Sequence, residues 1–149
     1  MADSDLVNLY SGRILALATD IPHLGRLPAP QGSARRRSPL CGSTVTADVV
    51  LRDGRVSEFG QDVKACALGQ AAAAVVGAAM IGRTRAEVET ARDELEAMLR
   101  SGGPVPAPPF DGLEVLLPAR DFRNRHASIL LALEAAAEAI GQAERAACA

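Results

Sequence analysis

From Thr44 to Leu51 the chain alternates, with Val45, Ala47, Val49 and Leu51 on one side and Thr44, Thr46 and Asp48 on the other. A period of two is that of a half-buried strand. Asp53-Gly54 follows, a pair that tolerates the positive φ angles of a tight type I′ turn, and Val56 to Val63 reads as the returning strand. The period then changes. Ala67 to Ile81 carries no charge and is rich in Ala, with Gly69 and Gly77, the pattern of a helix buried on all sides. Thr84 with Glu87 forms a capping box. Behind it Val88, Ala91, Leu95 and Met98 or Leu99 make an apolar stripe down to Arg100, opposite Arg85, Glu89, Arg92 and Glu96. A last helix begins at Asn124 or His126 and buries Ile129, Leu133, Ala136 and Ile140.

Upstream, Leu6, Leu9, Arg13 or Ile14, and Leu17 recur at helical spacing behind Asp3 and Ser4 as caps, and this helix stops before Pro22. Ile21 to Arg37 reads as a loop broken by Pro22, Gly25, Pro28, Pro30 and Gly32. Arg35-Arg36-Arg37 closes it as a solvated end, or as a dock for an acidic partner surface. His23 within the loop reads as structural. Ser101 to Pro109 is too short to separate domains and reads as an ordered surface loop, with a helical turn over Leu113 to Leu117 after it.

Composition narrows the picture. The 149 residues make one ordinary domain, with fraying expected over 1–5 and 141–149. Only Tyr10, Phe59, Phe110 and Phe122 are aromatic, so the core is built from Ala, Val, Leu and Ile. A net charge of -2 gives no general case for binding nucleic acid. The acidic start has no apolar run behind it, which argues against a signal peptide. The stretch from Ala65 to Ile81 contains Gln70 and falls short of the ~20 apolar residues of a membrane span. An odd count of three cysteines without a secretory signal points to reduced thiols in the cytosol.

Two of those cysteines stand at element junctions. Cys41 lies in Ser38-Pro39-Leu40-Cys41-Gly42, just ahead of the alternating strand, and Cys66 lies where the return strand gives way to the uncharged helix. Cys41 is twelve residues before Asp53 and Cys66 twelve after Gly54, so a hairpin brings them to one end. Thiolate is the metal-binding form of cysteine, and a helix N-terminus favours it. His126 opens the last helix. Two thiolates and one imidazole suit zinc or iron and leave one coordination position open. Cys148, second from the end, is expected to be exposed and frayed.

These motifs, in this order, resemble the NifU-like, or U-type, iron–sulfur cluster assembly scaffold family. Leu9-Tyr10, Ile14-Leu15, Pro22 and Gly25-Arg26-Leu27 are similar to its N-terminal helix and following loop. Ser38-Pro39-Leu40-Cys41-Gly42 matches its first ligand motif, Leu51 to Val56 its hairpin, and Cys66-Ala67 its second ligand. His126-Ala127-Ser128-Ile129-Leu130 resembles the third motif, usually His-Cys-Ser-Ile-Leu or Lys-Cys-Ala-Thr-Leu. The resemblance implies an α+β fold, a small antiparallel β-sheet packed against several α-helices. It also implies assembly of an iron–sulfur cluster with sulfur from a cysteine desulfurase, and transfer of the cluster to recipient proteins. Some members bind zinc at the same site, and one branch relays sulfur. Two ligand positions depart: Ser43 stands where Asp is usual, and Ala127 where the third Cys is expected. The expectation is a cytoplasmic scaffold, a binding protein more than an enzyme. Cys41, Cys66 and His126 would be its ligands for a cluster or zinc. Its alternatives are a sulfur acceptor, carrying a persulfide on Cys41 or Cys66, and a metal-free adaptor of the same fold.

Overall fold

The computed structural model describes residues 11–148. Asp3, Ser4, Leu6, Leu9 and Tyr10, expected in the first helix, lie outside the described residues, as does the Cys148 side chain. The described part of that helix, α1 (Gly12–Ala18), is capped by Ser11 and buries Ile14 and Ala18. It ends at Thr19, before Pro22 as its sequence requires.

Three antiparallel strands follow in the order β1 (Gly32–Arg37), β2 (Thr44–Arg52) and β3 (Arg55–Lys64). The β2–β3 hairpin has the predicted turn, with Asp53 at φ 54 and Gly54 at φ 75. A register shift between Val50 and Leu51 accounts for the weak alternation of the return strand.

The expectation of a loop from Ile21 to Arg37 is corrected at its end, where Gly32 to Arg37 pairs with Val49 to Thr44 as an edge strand. Its inward positions are Gly32 and Ala34, too small to register as a hydrophobic pattern. They are small because the last helix lies directly on them: a Cβ at Gly32 would collide with the Ala139 carbonyl. The rest of the loop is tied to the other face of the sheet. Asp48, on the polar side of the alternation, is buried there. It accepts from Arg26 Nε at 2.6 Å, Leu27 N–H at 3.0 Å and Ser33 Oγ at 2.6 Å. Burial would raise the Asp48 carboxyl, but the hydrogen bonds of Arg26, Ser33 and Leu27 outweigh it and hold it below its usual value.

The helices cover the inward face. α2 (Ala67–Ala79) is the uncharged helix and is buried through most of its length, as expected. α3 (Arg85–Arg100) has the capping box of Thr84 and Glu87 and buries Val88, Ala91, Leu95, Met98 and Leu99. The helical turn expected at Leu113–Leu117 is longer, a 3-10 helix over Asp111–Asp121 that contains Pro118. α4 (Arg123–Cys148) starts one residue before Asn124, the earlier of the two expected starts, and runs on past Ile140. Ile129, Leu133, Ala136 and Ile140 on it are fully buried, where it packs on β1, β2, α2 and α3. No described helix is long and apolar enough to cross a membrane.

Candidate functional site

Both predicted thiols stand at the end of the sheet away from the hairpin turn. Strand pairing stops at Thr44 opposite Lys64, so Cys41 and Cys66 lie just beyond the last paired residues. Cys41 sits in a tight turn. Ser38 N–H donates to Ser43 O at 2.8 Å, Gly42 N–H donates to Ser38 O at 3.0 Å, and Gly42 takes φ 72. The turn buries Ser38 and Ser43 and leaves Cys41 exposed. Cys66 is the half-buried N-cap of α2, in extended conformation, with no capping bond from its side chain.

Two hydroxyls join the thiols. Cys41 Sγ lies 3.0 Å from Ser43 Oγ. Ser128 Oγ, buried on α4, donates to Ser43 Oγ at 3.1 Å and lies 3.6 Å from Cys66 Sγ. Close helix approach makes this possible, since a Cβ at Gly69 would come within 2.6 Å of Ser128 Oγ. The first turn of α2, the start of α4 and the Cys41 turn therefore meet at one point.

Hydroxyl donors favour the charged form of a thiol. Ser38 and Ser43 together draw the Cys41 thiol down to about 7 from 9.0. Ser38 Oγ is buried with no other partner among the described residues, and its hydroxyl, turned to the Cys41 sulfur, is the stronger of these two influences. Ser38 and Ser128 were not foreseen as site residues. A serine within the apolar run Ile129-Leu130-Leu131 was the available signal for Ser128, because buried hydroxyls need partners.

His126 is placed differently from the thiols. Its ring is buried, and Nε2 lies 3.0 Å from both the Ala119 and the Arg120 carbonyl oxygens. Both partners are acceptors, so Nε2 carries the hydrogen, and Nδ1 is the ring atom left for a ligand. Ala127 borders a groove with Ser38 and Pro39 of the Cys41 turn. Among the described residues no group of three or more His, Cys, Asp or Glu is placed to hold an ion. The site thus offers two soft sulfur donors, one of them exposed, bridged by neutral hydroxyls.

A small antiparallel sheet backed by helices, with Cys41 and Cys66 at its open end and a helix N-terminus at Cys66, makes an α+β domain. The same architecture is found in the crystal structure of the N-terminal part of a nitrogen-fixing NifU-like protein from Brucella abortus. The two chains are 42% identical, with a TM-score of 0.91, over 95% of this chain and 98% of that one. The chain belongs to the NifU-like family. A candidate iron–sulfur cluster assembly scaffold protein for the SUF system from Fervidobacterium islandicum shares the fold. Its TM-score is 0.78 at 18% identity, over 90% of this chain and 98% of that one. No family profile matches the chain, and no curated protein matches it significantly.

Proposed function

We propose that this protein is an iron–sulfur cluster assembly scaffold whose cargo is held at one edge by Cys41 and Cys66. The observation that carries the reading is the thiol pair bridged by Ser43 and Ser128, in a chain 42% identical to a NifU-like protein. Thiolate suits iron and zinc alike, and the cluster favoured by kinship is the iron–sulfur one. A cysteine desulfurase and cluster-recipient proteins are the partners this role requires. Ser43 and Ala127 leave the ligand set short of the family's usual one, so further ligands come from outside the chain or from His126. His126 would ligate through Nδ1, because Nε2–H is held by two carbonyls. Anaerobic reconstitution with ferrous iron and sulfide tests the reading. Visible absorption and bound iron should appear with the native chain and fall sharply in Cys41→Ala and Cys66→Ala. Absence of both signals from the native chain would reject it.

The exposure of Cys41 and its thiol near 7 favour one second reading, that of a sulfur acceptor. The Cys41 thiolate would attack the outer sulfur of a donor persulfide. A new sulfur–sulfur bond forms on Cys41, the donor's bond breaks, and the donor leaves as a thiolate. Labelled sulfur carried by Cys41 after exposure to a persulfidated desulfurase, and absent from Cys41→Ala, is the expected result.

A further inference from the structure

Strand register splits the run Arg35-Arg36-Arg37 between the two faces of the sheet. Arg36 stands opposite Val45, on the side of α4, and reaches Glu138 of that helix at 3.7 Å. Arg35 and Arg37 stand opposite Thr46 and Thr44, which in turn stand opposite Asp62 and Lys64 of β3. Residues directly opposite in a ladder share a face. Two rows, Arg35–Thr46–Asp62 and Arg37–Thr44–Lys64, therefore lie on the outer side of the sheet at the end that carries the thiols.

The next row, Ser33–Asp48–Gly60, is covered. Arg26 and Leu27 bond to Asp48 across it, and a Cβ at Gly60 would lie 3.2 Å from the Leu27 nitrogen. On the two rows nearer the thiols Arg35, Arg37, Asp62 and Lys64 are all exposed. Three cations thus stand with one anion, on a chain whose net charge is -2. Arg35, Arg37 and Lys64 make no ion pair among the described residues. By the spacing of residues and strands Arg37 stands ~7 Å from Arg35 and ~10 Å from Lys64, close enough for their fields to add at moderate salt. Arg37 also borders the Cys41 turn, since a Cβ at Gly42 would lie 3.7 Å from its Nη2. The positive face and the exposed thiol are contiguous.

We propose that these two rows are the docking face for an acidic segment of the protein that exchanges sulfur or cluster at Cys41. Carboxylates of that segment pair with Arg35, Arg37 and Lys64 on the outer face, which sets the partner's reactive group over the Cys41 turn. Charges so placed act on the rate of encounter and on orientation. The choice of partner rests on the scaffold reading; the preference for acidic chains at Cys41 does not.

The test uses the full, metal-free chain and two end-blocked peptides with a central cysteine, flanked by glutamates in one and by glutamines in the other. Each cysteine is activated as a 2-thiopyridyl disulfide. The Cys41 thiolate attacks the peptide sulfur, a mixed disulfide forms, and pyridine-2-thiolate leaves, takes up a proton and is read by its absorption. Mass mapping locates the adduct, and the rate left in Cys41→Ala is subtracted. The ratio of the two peptide rates cancels any change in the thiol itself. At low ionic strength the acidic peptide should react about tenfold faster than the neutral one, and added salt should shrink that ratio. Arg35→Gln combined with Arg37→Gln should lower it to about threefold. Arg52→Gln combined with Arg145→Gln removes the same charge from exposed positions at the hairpin turn and near the end of α4, and should leave it close to the native value. A ratio near one in the native chain, an unchanged ratio in the first double variant, or an equal fall in both overturns the docking face. If anaerobic reconstitution places no iron on the native chain while the ratios behave as expected, the scaffold reading fails and the acidic preference at Cys41 stands.

Discussion

Ser43 and Ser128 put two hydroxyls between the thiols, and the Cys41 sulfur is tuned by hydroxyls instead of by a neighbouring charge. A depressed thiol pKa means that the thiolate persists to lower pH than in a free cysteine. In metal-free protein, alkylation of Cys41 should therefore reach half its limiting rate near pH 7. Ser43→Ala removes one of the hydroxyls and should move that midpoint upward; a midpoint unmoved by the change would assign the tuning elsewhere. His126 carries a separate expectation. Its Nε2–H serves the Ala119 and Arg120 carbonyls, so His126→Ala should cost roughly 1–3 kcal/mol in denaturant unfolding, metal or no metal. At this scale the thiols were legible, because cysteines at element junctions stand out. The serine bridge was not, since a hydroxyl reads as neutral in any periodic pattern and acquires meaning only from what packs against it. The role of the His126 ring was equally hidden: its partners are backbone carbonyls, and any sequence supplies those.

Among the elements, α2 shows how closely packing limits side-chain size. Ala73 is fully buried and its carbonyl accepts from Gln61 Nε2 at 3.0 Å. Ala73→Glu would bury an unpaired carboxylate and should cost about 3 kcal/mol or more, whereas Ala86→Glu on the exposed side of α3 should be nearly silent. Equal small losses in thermal or denaturant unfolding would contradict the burial of α2. Gly69→Ala is the finer test. Alanine is the better helix former, yet its Cβ would come within 2.6 Å of Ser128 Oγ and 2.8 Å of the Ala65 Cβ. The net effect should be a loss of about 1–3 kcal/mol, with Ser128 displaced from Cys66. The hairpin, α2, α3 and α4 were legible because large apolar or charge-free runs mark them. β1 was not, because close packing under α4 selects Gly32 and Ala34, and a strand of small residues ending in Arg35-Arg36-Arg37 has no hydrophobic alternation to read.

Across the whole molecule, the fold is that of the NifU-like family, and the proposed ligand set lacks the Asp and the third Cys that the resemblance implies at Ser43 and Ala127, so introducing them separates ancestry from activity. Ser43→Asp combined with Ala127→Cys would add a carboxylate and a third thiolate around Cys41 and Cys66. The surroundings oppose the first change when no metal is present. Ser43 is buried and hydrogen-bonded to both Cys41 and Ser128, so a carboxylate there would repel the Cys41 thiolate and raise its pKa. A bound cation reverses that sign, because it attracts both anions at once. The second change adds a soft sulfur at the groove shared with Ser38 and Pro39. The double variant should therefore be less stable than the native chain without metal and more stable with it. It should retain more iron after reconstitution and release it more slowly to a chelator. Cys66 is needed for the gain, so adding Cys66→Ser should abolish it. If the double variant takes up no more iron than the native chain, the cleft cannot gather the ligands around one cargo, and the metal-free adaptor becomes the better account of this protein.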